Sequence, residues 1–247
     1  MHAMSIKGLL LTSILILTAC DRLSDGTNTD GEEAIADTSL VAWWTFDEGR
    51  GSAAGDASGK DNTGVIRNAG WGGGRIGNAL QMNGGNNSIM SVPLSDSLRS
   101  TAAEITVMGW AYRTAAHNVA VIAHGYPTLF LGFHGQQFKW QVVNEKDKRA
   151  QCYADPKYQA VLNQWFHLTG TYDGRTARLY VDGVQICRKI LWRAGGIKMP
   201  DDPFTVSGYF DTTGNVVDEI TGMIDEVRIY NRSLSADEIR NIYSKEK

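Results

Sequence analysis

From Leu40 onward, apolar and polar residues alternate with a period of two, in short runs broken by Gly, Asn and Asp. That pattern predicts strands joined by tight turns. Ile105, Val107, Gly109 and Ala111 fall on one side of such a strand, and Thr106, Met108, Trp110 and Tyr112 on the other. Leu129, Leu131 and Phe133 make a second set, and Phe138, Trp140 and Val142 a third. The sharpest local signal is ARLYVDGVQIC, Ala177 to Cys187. Asp182-Gly183 suits a two-residue turn that needs positive φ at both positions. Folding there pairs Val181 with Val184 and Leu179 with Ile186, which leaves Arg178, Tyr180, Gln185 and Cys187 on the opposite face. One helix is predicted, near the C-terminus. Ser235 stands at its N-cap and Glu238 three residues on, a capping box ahead of Ile239 and Ile242.

The first twenty residues read differently. Lys7 precedes an apolar run, Gly8 to Leu17, too short for a membrane-spanning helix but suited to a signal peptide. The run ends in Leu17-Thr18-Ala19-Cys20, which resembles the bacterial lipobox and implies that Cys20 is acylated. The alternative is a plain secretory signal that contains a cysteine. Residues 21–38 are polar and aromatic-free, with Asp21, Asp25, Asp30, Glu32, Glu33 and Asp37 against Arg22 alone. Such a segment cannot bury enough apolar surface to fold and reads as a tether. The expected organisation is a signal peptide at 1–19, a tether at 20–38 and one folded domain at 39–247. The expected location is the bacterial cell envelope, through a lipid anchor. Export also gives the remaining cysteines a reading: Cys152 and Cys187 are expected to form a disulfide in an oxidising compartment.

A length of 247 residues fits one all-β domain behind a leader, and 27 Gly with 7 Trp favour turns and strands. Net charge is −3, and most of the excess acid sits in the tether. The folded part is close to neutral, so nucleic acid is not an expected partner.

Several segments together resemble the laminin G-like, concanavalin A-like jelly roll of bacterial surface proteins. Val41-Ala42-Trp43-Trp44-Thr45-Phe46-Asp47-Glu48 resembles its first strand, Asp56-Ala57-Ser58-Gly59 with Asn62 and Gly64 its first loop, and Gly77 to Gly84 the next strand and turn. Gln164 to Leu168, Thr171 to Gly174 and Leu179 to Gly183 match the central run. Ile224 to Asn231, with Leu234-Ser235, matches the closing strand and helix. The resemblance spans roughly residues 40–244. It implies an all-β, two-sheet antiparallel jelly-roll sandwich (concanavalin A-like) with one short C-terminal helix. Function is left open, because this fold hosts binding modules and enzymes alike.

Little in the sequence points to catalysis. The laminarinase-type Glu-x-Asp-x-(x)-Glu pattern is absent, and Asp47-Glu48, Asp201-Asp202, Asp218-Glu219 and Asp225-Glu226 are adjacent pairs best read as solvated turns or strand edges. The Gln-x-His motif of related alginate lyases fails at Cys187. His167 reads as structural, and no nucleophile pattern accompanies His124 or His134. A polysaccharide lyase or glycoside hydrolase with an unrecognised site is the alternative reading. Metal chemistry has more to build on. Asp56 to Gly64 gathers oxygen donors and glycines in one loop, as calcium requires. By resemblance, a structural calcium would take Asp47, Asp56, Asn62 and Asp225; the competing reading is an Asx-rich turn whose side chains bond their own backbone. For sugar stacking, Tyr126, Trp140 and Trp192 lie outside the family motifs and are the candidates, against ordinary packing. The expectation is a membrane-tethered, exported binding module for a glycan or an envelope protein.

Overall fold

The computed structural model describes residues 37–124 and 127–247. The chain enters through β1 (Leu40–Trp44), β2 (Ala53–Ala54), β3 (Gly64–Arg67), β4 (Gly70–Gly73), β5 (Asn78–Asn83) and β6 (Ile89–Val92). A short helix, α1 (Asp96–Arg99), runs on as a 3-10 turn over Ser100–Ala102 into β7 (Ile105–Arg113). A meander follows: β8 (Val119–His124), β9 (Leu129–His134), β10 (Gln137–Val143) and β11 (Arg149–Tyr153). Next come β12 (Trp165–Tyr172), β13 (Thr176–Val181) and β14 (Val184–Ile190). The chain closes with β15 (Phe204–Val206), the ribbon β16 (Tyr209–Phe210) and β17 (Val216–Val217), the long β18 (Thr221–Tyr230), and α2 (Ala236–Glu246).

These strands form two antiparallel sheets. The first runs β14-β13-β12-β7-β18-β5-β4, with β1 also paired to β18; the second runs β11-β10-β9-β8-β15-β6-β3-β2. Between them lies one core. Val107, Ala111, Leu168, Leu179, Ile224 and Ile229 face in from the first sheet, and Leu131, Phe133, Phe138, Trp140, Val142 and Phe204 from the second. The period-two sets therefore face as the alternation predicts.

Trp140 shows how tight that core is. It is fully buried, its Nε1 donates to the Thr171 carbonyl at 3.0 Å, and its indole lies flat over Gly170. A Cβ there would fall inside the ring's van der Waals contact, so β12 needs glycine where β10 needs tryptophan. One end of the sandwich is closed by Arg113. It is 2 % exposed, stacks on Phe133 and donates to the carbonyls of Gly135 (2.9 Å) and Ala160 (2.7 Å).

The Asp182-Gly183 turn has positive φ at both positions, 50° and 75°, and Val181 pairs with Val184. The register then departs from the expected one. A bulge lets Cys187, not Ile186, stand opposite Leu179. In the unbulged register Cys187 would share the Tyr180 face; the extra residue turns it toward the second sheet. There it joins Cys152 in a disulfide across 35 residues. Since β14 and β11 are edge strands of the two sheets, the bond staples one side of the sandwich shut.

The outer face of the first sheet is covered by α2. Met108, Tyr180, Tyr230, Leu234 and Ile239 pack there as a second cluster. The Ser235–Glu238 capping box forms as predicted. Helix α1, capped by Ser95, has no apolar periodicity to announce it, and only Leu98 is buried. Asp37 ties the start of the described residues to the sheet: its carboxylate accepts from Ser39 N–H and bridges Arg232 at 2.9 Å.

Candidate functional site

The four residues expected to hold calcium are used in two separate ways. Asp56 accepts from the backbone N–H of Trp43, Ser58 and Asn62 and from the Ser58 hydroxyl, each at 2.9 Å. Asn62 is buried; its amide donates to the Val41 carbonyl and Ser97 hydroxyl, and its Oδ1 accepts from Ser95. Both side chains are spent pinning the first loop to β1, which is what an Asx turn does. Asp47 and Asp225 instead fix the loop Gly74–Asn78: Asp47 accepts from Asn78 N–H and Asp225 from Ile76 N–H, both at 2.9 Å. Among the described residues, no three His, Cys, Asp or Glu side chains converge as a metal set. As placed, Asp56 and Asn62 are engaged within the first loop and with β1, and Asp47 and Asp225 with the loop Gly74–Asn78; a structural calcium on these four stays a proposal.

Sequence reading placed Asp225-Glu226 at a solvated edge. The structure buries both, at 0 % and 3 % exposure. A register shift between Asp225 and Arg228, with φ +51° at Glu226, breaks the alternation of β18. Glu226 accepts from Trp43 Nε1 at 2.8 Å and pairs with Arg228 at 2.6 Å. Arg228 also holds Glu246 of α2, which accepts from Trp110 Nε1 at 2.8 Å. His167 lies beneath, edge-on to Trp110 with its Nε2 3.9 Å from Glu246. Neither ring nitrogen has a hydrogen-bond partner, and burial, aided by Arg228, pushes its pKa down to about 3. Burial, with Glu226 adding to it, raises Asp225 to about 7. Glu219, also read as solvated, is 7 % exposed and caps Asn87 and Ser88 N–H. The two glutamates on Arg228 have side chains only 4 % and 7 % exposed, so no substrate reaches between them. Their work is to clamp α2 to the sheet. Nothing in the sequence announces this cluster, since its members come from five separate segments, β1, β7, β12, β18 and α2.

The expected sugar platforms separate sharply. Trp140 is the core residue described above and has no surface to offer, so it is not a ligand contact; its place in an alternating strand was the deciding signal. Tyr126 lies outside the described residues. Trp192 is 69 % exposed, between β14 and β15, where three loops meet. Leu191 N–H donates to the Arg175 carbonyl, the Arg193 carbonyl accepts from Asn144 at 2.9 Å, and Glu145 N–H donates to Gly196 at 2.9 Å. Two residues beyond Trp192 begins the wall of an open cleft of about 540 Å3, lined by Ala102, Glu145, Asp173, Arg175, Ala194 and Gly196. A Cβ at Gly196 would sit 2.6 Å from the Ala102 carbonyl, so the loops meet closely enough to need glycine. Arg193 and Lys148 lie 4.3 Å and 5.4 Å from the indole centroid. An exposed indole beside a cleft with carboxylate and guanidinium groups can stack a ring and hydrogen-bond its substituents.

A family model described as the concanavalin A-like lectin/glucanases superfamily matches residues 83–240. Among solved structures, the binding domain of Paraclostridial Mosquitocidal Protein 1 is similar with a TM-score of 0.69 at 18 % identity, over 84 % of this chain and 52 % of that one. Domain 4 of AbnA, a GH43 extracellular arabinanase from Geobacillus stearothermophilus, solved with arabinotriose, gives 0.62 at 18 %, over 83 % and 98 %. The binding domain of Botulinum neurotoxin DC, solved in complex with SialylT, gives 0.65 at 13 %, over 85 % and 52 %. The chain thus spans about half the length of the toxin domains it matches and nearly all of the arabinanase domain. At these identities the likeness is one of fold. Among curated proteins, no sequence matches. The family match covers well over half of the chain: the protein belongs to the concanavalin A-like lectin/glucanase superfamily.

Proposed function

We propose that this protein is an exported, membrane-tethered binding module that recognises a carbohydrate, or a sugar-bearing protein, at the bacterial cell envelope. The observation that carries the reading is Trp192: a 69 % exposed indole set beside the loop cleft. Leaving an indole in water forfeits on the order of 2 kcal/mol of burial, which a ligand recovers when its apolar ring face covers it. Glu145 and Arg175, both exposed in the cleft, supply an acceptor and donors for hydroxyls. The similar structures support the ligand class, since one carries arabinotriose and another SialylT. The tether reading rests on the lipobox-like Leu17-Thr18-Ala19-Cys20, outside the described residues. A lipid anchor followed by a leash raises the effective concentration of the module at the envelope surface.

The test is a glycan array probed with the purified chain and with Trp192→Ala. The proposal expects a defined glycan signal that the variant loses while its melting temperature stays unchanged. Binding that survives Trp192→Ala would move the site elsewhere on the sandwich.

A further inference from the structure

The charges around Trp192 are not those of the molecule as a whole. The folded part is near neutral, yet three separate segments bring Lys146, Lys148, Arg175 and Arg193 to this one rim. Lys148 and Arg193 flank the indole, Arg175 lines the cleft, and Lys146 reaches Ala194 in the cleft wall, its Nζ donating to that carbonyl at 2.5 Å. The nearby acids offset little of this. Asp147 is paired with Lys198 at 2.6 Å, and Asp173 with Arg178 at 2.8 Å. Glu145 remains to face the cleft. Asp147 is held below the usual carboxylate range mainly by its own bond to Lys198, with Lys148 adding to it.

Resting on the reading of Trp192 as a sugar platform, we infer that the rim selects anionic glycans, chains whose rings carry carboxylate or sulfate groups. A ring stacked on Trp192 meets Arg193 and Lys148, whose cationic groups lie over the indole, and has Arg175 nearby in the cleft. Charge-assisted hydrogen bonds from these groups are stronger than those to neutral hydroxyls. A neutral sugar of the same shape would gain the stacking and leave the cations unused. A flat anionic surface could use the cations but would gain nothing from a recessed cleft.

The test is calorimetric titration of the full chain with three oligosaccharides of equal length: a uronate oligomer, a sulfated oligomer and a neutral arabino-oligomer, each at low and high sodium chloride. The expected result is binding of an anionic oligomer at least about tenfold tighter than the neutral one, weakening with salt. Lys148→Gln with Arg193→Gln should weaken it about tenfold, the loss of one or two charge-assisted bonds. The melting temperature should not change, because both side chains are on the surface. The uronate and sulfated arms show which anion is preferred. Equal, salt-insensitive binding of the neutral oligomer, indifferent to the charge variant but lost in Trp192→Ala, would overturn this inference and leave the sugar platform standing. No binding of any oligomer would overturn both. Equal binding of a single-stranded oligonucleotide or of anionic vesicles, independent of Trp192, would show a bare cationic patch and also overturn it.

Discussion

His167 makes the acid side of this protein's stability curve testable. Its ring is wholly buried under α2 with no hydrogen-bond partner, and its folded-state pKa is down to about 3 from an ordinary 6.5. Above pH 6.5 the group is neutral in both states and contributes no slope. Below it, the unfolded chain binds a proton that the folded chain refuses, so stability falls as pH falls. Between pH 6.5 and pH 5 that loss is about 2 kcal/mol, one and a half units at 1.36 kcal/mol each. Asp225 acts with the opposite sign. Its folded pKa is raised, so the folded chain keeps a proton the unfolded one has lost; that contribution is present at low pH and disappears as pH rises through about 7. The two slopes oppose each other in the parent protein, which is why a variant is needed to see either. His167→Gln keeps a polar side chain of similar size and cannot be protonated. Urea unfolding followed by tryptophan fluorescence, at pH 7.5 and pH 5.0, gives the difference between parent and variant at each pH. The expected result is that the variant gains about 2 kcal/mol on the parent in going from the higher to the lower pH. If the difference is the same at both, His167 titrates as an exposed histidine does, and the packing of α2 over it is wrong.

Other expectations follow from single contacts. Gly170→Ala should cost about 1–3 kcal/mol in urea unfolding, since the new methyl must displace the Trp140 indole. Replacing Cys152 and Cys187 together with Ala should cost about 3–4 kcal/mol for a loop of this length, read as a lowered urea midpoint. Trp140→Ala should cost about 3–5 kcal/mol and Trp192→Ala less than about 0.5, which separates the core residue from the surface one. Melting temperatures in chelator and in millimolar calcium should coincide, because Asp56 and Asn62 already satisfy backbone groups; a rise of several degrees with calcium would mean that the first loop reorganises into a cage.

The strands were legible because alternation is a local property. Ile105 to Ala111 and Phe138 to Val142 face the core as their period dictates, and Ser235 with Glu238 caps α2 through contacts three residues apart. The pairing of Cys152 with Cys187 was legible from compartment and count, but the geometry that permits it was not. It depends on a bulge at Ile186, and a bulge leaves no mark in a sequence that already alternates. The same holds at Asp225-Glu226, where an irregular backbone buries carboxylates that regular alternation would solvate. Trp140 and Trp192 look alike as letters outside family motifs. What parts them is that Trp140 lies in phase with Phe138 and Val142, whereas Trp192 follows the end of a strand. The cationic rim was illegible for a further reason: Lys146, Lys148, Arg175 and Arg193 meet only through loop contacts, and the whole-domain charge averages them away.

The claim that the Trp192 rim is the ligand site is tested most directly by the indole N–H resonances of the protein, one for each of the 7 Trp, recorded while a uronate oligomer is added. The Trp192 signal should shift and saturate with the ligand. Those of Trp44 and Trp140, bonded to carbonyls in the core, and of Trp43 and Trp110, bonded to glutamates, should hold still. A shift at Trp43 or Trp110 with Trp192 unmoved would contradict it and place recognition on the face that α2 covers.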